Sequence, residues 1–180
     1  MTDYIIPKTI TGKEIKELRM SLNMLQNEFA RFLNVSLRTI ERWESGNDNI
    51  SGAICTLYEI LIRNPELESG LRIEPNKLKL RLKYMHKDIL CTVIDVDEVE
   101  KKIEIRNYVK NTMFRAFGIN TEPEYEDYEE FLESRCFPKT RDKMKLELKK
   151  LGLSFYDPIM IIEKTEGRMA EDDFWIKIER

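Results

Sequence analysis

The stretch LQNEFARFLNVSLRTIERWESGN, residues 25–47, decides how the rest of the chain is read. Its pattern is that of two short helices joined by a tight turn. Gln26 opens the first, over 26–33, in which Phe29, Ala30 and Leu33 recur at helical spacing. Asn34 stands where the chain must turn, and Asn tolerates the left-handed conformation better than most residues. Ser36 can cap the second helix with its hydroxyl, Ile40 and Trp43 bury its inner face, and Gly46 stops it after Ser45. Ala30 is small where the helices cross, and Val35 plugs the space under the turn. Ala30, Val35, Ile40 and Trp43 are therefore the expected core of the motif. The face left exposed carries Ser36, Leu37, Arg38, Glu41 and Arg42 near the helix start. An α-helix fits the DNA major groove, and units of this kind lead with that end. Arg can pair bidentately with guanine or hold a phosphate. The competing reading of Arg38 and Arg42 is a solvated helix face.

Working outward, Thr11 and Glu14 have the spacing of a capping box, followed by Ile15, Leu18 and Leu22 on one face and Asn23 at a turn. Ser51 is the expected cap of a further helix carrying Ile54, Leu57, Tyr58 and Leu61, which Pro65 stops. Residues 1–66 thus read as an all-α domain of four or five helices. Residues 67–88 read as a basic connector. In it Leu78, Leu80 and Leu82 alternate with Lys and Arg, either as a short strand or as a basic strip beside DNA. Residues 89–180 read as an α+β domain. A β-hairpin is expected from Ile89–Val96 and Lys102–Val109, with helices over 125–136, 142–151 and 158–165. The tail MAEDDFWIKIER adds the Phe174–Trp175 pair. The fold class is mainly α, with a second, mixed domain.

Composition bounds the function. The chain has 180 residues, enough for one domain or two small ones. With 30 Lys+Arg against 33 Asp+Glu the net charge is −3, which excludes a histone-like carpet of positive charge but leaves room for a locally basic face. Residues 1–66 hold eight basic and nine acidic side chains, so non-specific DNA affinity should be weak and dimerisation useful. No apolar run is long enough for a membrane span, and the start has no secretory pattern. The three Cys residues are widely spaced and read as reduced thiols in a cytoplasmic protein. One His and no CxxC pair argue against zinc; neither a metal nor a cofactor is expected.

In the second half, the carboxylates Asp95, Asp97, Glu98 and Glu100, and Glu171, Asp172 and Asp173, are oxygen-ligand candidates, with a polar turn and a solvated helix start as the simpler readings. His86 reads as a surface His in the connector and Cys136 as a buried thiol rather than an activated one. The acidic stretch Glu122–Glu133 reads as an amphipathic helix with a wet acidic face, as a surface for a basic partner, or as a DNA mimic. The basic segment 139–150 can pair with it or with a second copy. No nucleophile–base pair stands out, so no catalytic residue is expected and the chain is read as a non-enzyme.

Residues 11–66 resemble the XRE family, the helix-turn-helix domains similar to phage repressors and Cro. The residues that carry the resemblance are Gln26, Ala30, Val35–Ser36, Thr39–Ile40, Trp43–Glu44 and Gly46. The resemblance implies that Gln26 holds a phosphate and that Ser36, Leu37, Arg38 and Arg42 face the groove, with Thr39 and Glu41 beside them. The chain departs from the family in having Leu25, not Ser or Thr, before the helix that Gln26 opens. The segment after Gly118 and the closing MAEDDFWIKIER are similar to stretches of bacterial and mobile-element proteins of unassigned function, and remotely to a leading segment of HipA-type toxin proteins. No kinase motif accompanies them.

The expected function is a sequence-specific DNA-binding transcriptional regulator, a repressor acting as a homodimer on a palindromic operator in double-stranded DNA. The alternative is an antitoxin or phage-encoded inhibitor whose residues 89–180 bind a toxin or other protein while the helix-turn-helix represses its own operon.

Overall fold

In the computed structural model, which describes residues 3–140 and 142–180, the chain divides into two units, Met1–Glu74 and Pro75–Arg180, each with its own apolar core. Arg141, counted above in the basic segment, lies outside the described residues.

The N-terminal unit has five helices: α1 (Gly12–Ser21), α2 (Gln26–Phe32), α3 (Leu37–Ser45), α4 (Ala53–Arg63) and α5 (Glu66–Leu71). The capping box forms as read: the Thr11 hydroxyl accepts from the Glu14 backbone N–H, and Glu14 accepts from the Thr11 N–H at 2.7 Å. Asn23 and Asn34 both take φ of 54°, so each turn is made by the residue type that tolerates it. Ile15, Leu18, Phe29, Ala30 and Ile40 close the core.

Four details differ from the sequence reading. Ser51 does not cap α4. It lies in a strand, β2 (Ile50–Ser51), which pairs antiparallel with β1 (Thr9–Ile10), and Gly52 at φ 97° leads into the helix instead. Gly46 is not left-handed: it is extended at φ −81°, and glycine is needed because a Cβ would lie 2.8 Å from the Arg42 carbonyl oxygen. Trp43 is half-buried at the edge of the core, not inside it. The second helix stops one residue early, at Phe32, with Leu33 as its C-cap.

The C-terminal unit is a four-stranded antiparallel sheet covered on one face by helices. Strands β3 (Leu80–His86), β4 (Ile89–Asp97), β5 (Lys102–Asn107) and β6 (Phe174–Glu179) stand in the order β5-β4-β3-β6. Helices α6 (Tyr125–Ser134), α7 (Met144–Lys150) and α8 (Pro158–Thr165) follow the hairpin. The alternation read at 78–82 leaves Leu78 outside and enters a strand at Leu80, and a central one. Its register places Ile105, Ile94, Leu82 and Ile178 in one row across the sheet, and Glu104, Asp95, Arg81 and Glu179 in the next. Successive residues of a strand face opposite sides, so one face is apolar and the other an ionic ladder. Arg81 donates to Asp95 at 2.6 Å through two nitrogens, and Lys83–Glu179, Lys79–Asp97 and Lys102–Glu104 are paired. The basic residues of β3 are therefore matched across the sheet.

His86 is not a loose surface side chain. It ends β3 half-buried, stacks on Phe114 at 4.6 Å and meets the Phe174 ring at a tilt, 4.8 Å away. Both residues of the Phe174–Trp175 pair are engaged within the unit. Phe174 stacks on Tyr84 at 4.9 Å, while Trp175 donates its indole N–H to the Lys87 carbonyl and lies under Arg168. Arg135, at the end of α6, joins α6, α8 and β6. It donates to the Gly167 carbonyl at 3.0 Å, to both Asp172 oxygens at 2.7 and 3.0 Å, and to the Phe174 carbonyl at 3.0 Å. The acidic α6 packs against α8, and Glu133 pairs with Lys139.

Candidate nucleic-acid interface

The outer face of α3 is set by three local constraints. The Ser36 hydroxyl accepts from the Thr39 backbone N–H at 3.1 Å and fixes where the helix begins. Ile40 is fully buried, which fixes the helix's rotation. Gly12 fixes its distance: a Cβ there would stand 1.9 Å from the Trp43 carbonyl oxygen, so the start of α1 lies backbone-close to α3. The result presents Leu37, 42% exposed, with Arg38, Glu41 and Arg42 on the open side. Arg38 and Arg42 are one helical turn apart, and neither has an ion-pair partner among the described residues. Thr39 is half-buried and shares its hydroxyl with Ser36 at 2.8 Å.

Behind this face lies a polar triad that inspection of the sequence did not find. Glu44 of α3 accepts from Arg19 Nε at 2.7 Å and Nη2 at 3.0 Å, and from Gln26 Nε2 at 2.9 Å. Arg19 also donates to the Met24 carbonyl at 2.8 Å. One carboxylate thus ties α1, α2 and α3 together. Burial alone would raise the Glu44 pKa, but the bonds from Arg19 and Gln26 outweigh it and hold the carboxyl below its ordinary value. Gln26 stands at the first position of α2, with its amide nitrogen engaged by Glu44. The Glu44 half of this cluster was visible as part of the Trp43–Glu44 pattern. Its partner 25 residues earlier gave no local signal.

Of the basic residues in this unit, Arg19, Lys13, Arg63 and Arg72 are paired with Glu44, Glu17, Glu59 and Glu68. Lys8, Lys16, Arg31, Arg38 and Arg42 have no ion-pair partner among the described residues. Carboxylates such as Glu28, Glu41 and Asp48 are also without an ion-pair partner among the described residues, so the unit is not positive as a whole; the excess of positive charge is local to Arg38 and Arg42 on the face of α3.

Two helices crossing at a left-handed Asn, with the second capped by Ser and exposed on one side, match a known family. The Helix-turn-helix family covers residues 15–62. Residues 15–62 are a helix-turn-helix domain of the XRE type. This helix-turn-helix domain is also similar to antitoxin HigA-2 of Vibrio cholerae serotype O1, with 40% identity over 62 residues, 34% of this chain. The match spans 60% of that relative's length. Helix-turn-helix domains of this type are found in DNA-binding regulators, and α3 is the helix that occupies the recognition position.

The other candidates of the C-terminal unit are placed as follows. Asp95 is buried against Arg81, and Asp97 pairs with Lys79 while accepting backbone N–H groups of the turn. Among the described residues no group of three or more His, Cys, Asp or Glu is arranged to hold a metal ion, and no helix is long and apolar enough to cross a membrane. Cys55, Cys91 and Cys136 are free and buried. Burial pushes the Cys136 thiol up to about 12, the opposite of activation.

Proposed function

We propose that this protein is a cytoplasmic, non-enzymatic transcriptional regulator that reads a specific DNA sequence as a homodimer and represses transcription. In this reading α3 enters the major groove. Arg38 and Arg42 contact base edges, Leu37 meets a thymine methyl, and Ser36, Thr39, Glu41 and Gln26 stand at the rim. Two copies would place their α3 helices ~34 Å apart on an imperfect palindrome. The observation that carries this is the pair of unmatched arginines on the outer side of a capped, tightly seated α3 in a helix-turn-helix domain.

The test is selection of bound sequences from a random DNA pool with the full chain, followed by titration of the enriched site. Arg38→Ala and Arg42→Ala should each cost about 1–3 kcal/mol on that site, and less on random DNA. Equal losses on both would make the two arginines phosphate contacts and remove base reading from them.

A second reading is favoured by the likeness to an antitoxin. There the helix-turn-helix represses its own operon, carried by a phage or mobile element, while residues 89–180 bind a toxin or other protein. A stoichiometric protein that co-purifies with the full chain and is lost on deletion of the whole C-terminal unit, residues 75–180, would establish it. A full chain that purifies alone from its native host would count against it.

A further inference from the structure

A cleft of about 470 Å³ opens in the C-terminal unit between the turn after β4, one side of α6 and the start of α8. Glu98, Glu129, Glu133 and Asp157 surround it, against Lys139 alone, which is already paired with Glu133. Glu98, Glu129 and Asp157 have no cationic partner among the described residues. Tyr125 and Tyr128 form the aromatic wall, with ring centroids 5.4 Å apart. Tyr128 is 1% exposed, and its hydroxyl is buried without any hydrogen-bond partner. Buried hydroxyls nearly always have one, so this oxygen marks a missing donor or acceptor. Tyr128 itself lines the cleft, beside Tyr125 and Glu129.

We propose that this cleft binds a guanidinium group, either of a small free cation or of an arginine side chain on another protein. It stands apart from the DNA-binding reading, because every lining residue lies in the C-terminal unit. The surplus of carboxylates selects a cation. The helix end offers an anion little: Pro158 at the first position of α8 has no N–H, and the Met160 N–H is already bonded to Asp157. A planar guanidinium suits the rest. Its fork matches carboxylates, here Glu129 and Glu133 one turn apart on α6, and its face stacks on an aromatic ring. The Tyr125 ring already draws the Lys101 ammonium to 5.7 Å. The Tyr128 oxygen would accept one N–H of the group.

Calorimetric titration of the full chain with agmatine, and separately with the peptide acetyl-Gly-Arg-Gly-amide, tests this. Saturable binding is expected, weakened about tenfold by Glu98→Gln and by Glu129→Gln, both exposed residues whose loss leaves the fold intact. Tyr128→Phe should weaken binding while leaving thermal unfolding of the free protein unchanged or raised, since the hydroxyl removed has no partner. Tighter binding of agmatine would identify a free cation as the ligand, and tighter binding of the peptide an arginine on a protein. No saturable heat with either probe up to about 10 mM, or binding that all three substitutions leave unchanged, would overturn the proposal.

Discussion

In the N-terminal unit Arg38 and Arg42 stand unmatched on α3, while in the C-terminal unit the basic residues of β3 meet carboxylates on the strands beside them. The two segments have similar local charge, so composition alone does not separate them. Periodicity does. On a helix capped at Ser36 and buried at Ile40, charged side chains at positions 38 and 42 share one outer side. On a strand between two others, Arg81 lies directly opposite Asp95 and Glu179, and Lys83 reaches Glu179 on the diagonal. A charged face that is available and one that is internally satisfied differ in what the next element presents, which no single segment reveals.

The contrast can be broken most forcefully at Arg135. Arg135→Ala removes the guanidinium's two bonds to Asp172 and its two carbonyl contacts, and should cost the C-terminal unit ~3–5 kcal/mol. Denaturant unfolding followed by Trp43 and Trp175 fluorescence in single-Trp variants should show the loss at Trp175 only. Next is Gly12→Ala, whose methyl must push α1 from α3. Overpacking of this kind costs about 1–3 kcal/mol, and here it should act on the N-terminal unit alone and lower DNA affinity through misplacement of α3.

A third, smaller effect separates the units by pH. The bond from Arg135 and the Phe174 N–H hold Asp172 below its ordinary pKa against the opposing pull of burial. A carboxyl lowered by folding adds stability that is complete above its unfolded pKa of ~3.9 and is lost as pH falls through the folded value. Urea midpoints of the C-terminal unit should therefore fall as pH drops below about 4, and Asp172→Asn should flatten that fall. The smallest change sharpens the helix-turn-helix. Leu25 is 66% exposed at the N-cap of α2, with extended backbone and no side-chain cap. Leu25→Ser should stabilise the N-terminal unit by roughly 0.5–1 kcal/mol, read as a rise in its melting temperature.

Residues 25–47 were legible because everything that decides them is local: a turn at Asn34, a Ser cap, and apolar positions three and four apart. The hairpin and the spans of α6 and α8 were legible for the same reason. What the sequence concealed depends on partners far away in the chain. The strand nature of 80–86 is settled by β4 on one side and β6 on the other, and the burial of His86 by Phe114 and Phe174. At the site, the exposed arginines could be read from spacing. The Arg19–Glu44–Gln26 cluster could not, because it joins three helices, and neither could Gly12, whose role comes from the carbonyl it touches.

The position of β3 has a consequence for how the protein is made. Its neighbour β6 is synthesised last among the strands, and Lys83 waits for Glu179, 96 residues later. A nascent chain emerging from the ribosome can complete the N-terminal unit as soon as Glu74 is clear, since all its partners are already made. The C-terminal sheet meanwhile holds β3 with one edge unpaired until residues 174–179 arrive, and an unpaired strand edge is open to wrong partners. DNA-binding capacity should therefore appear during translation before the second unit is closed, and ribosome-bound chains arrested shortly before Phe174 should already resist protease in the first unit while remaining cleavable in the second.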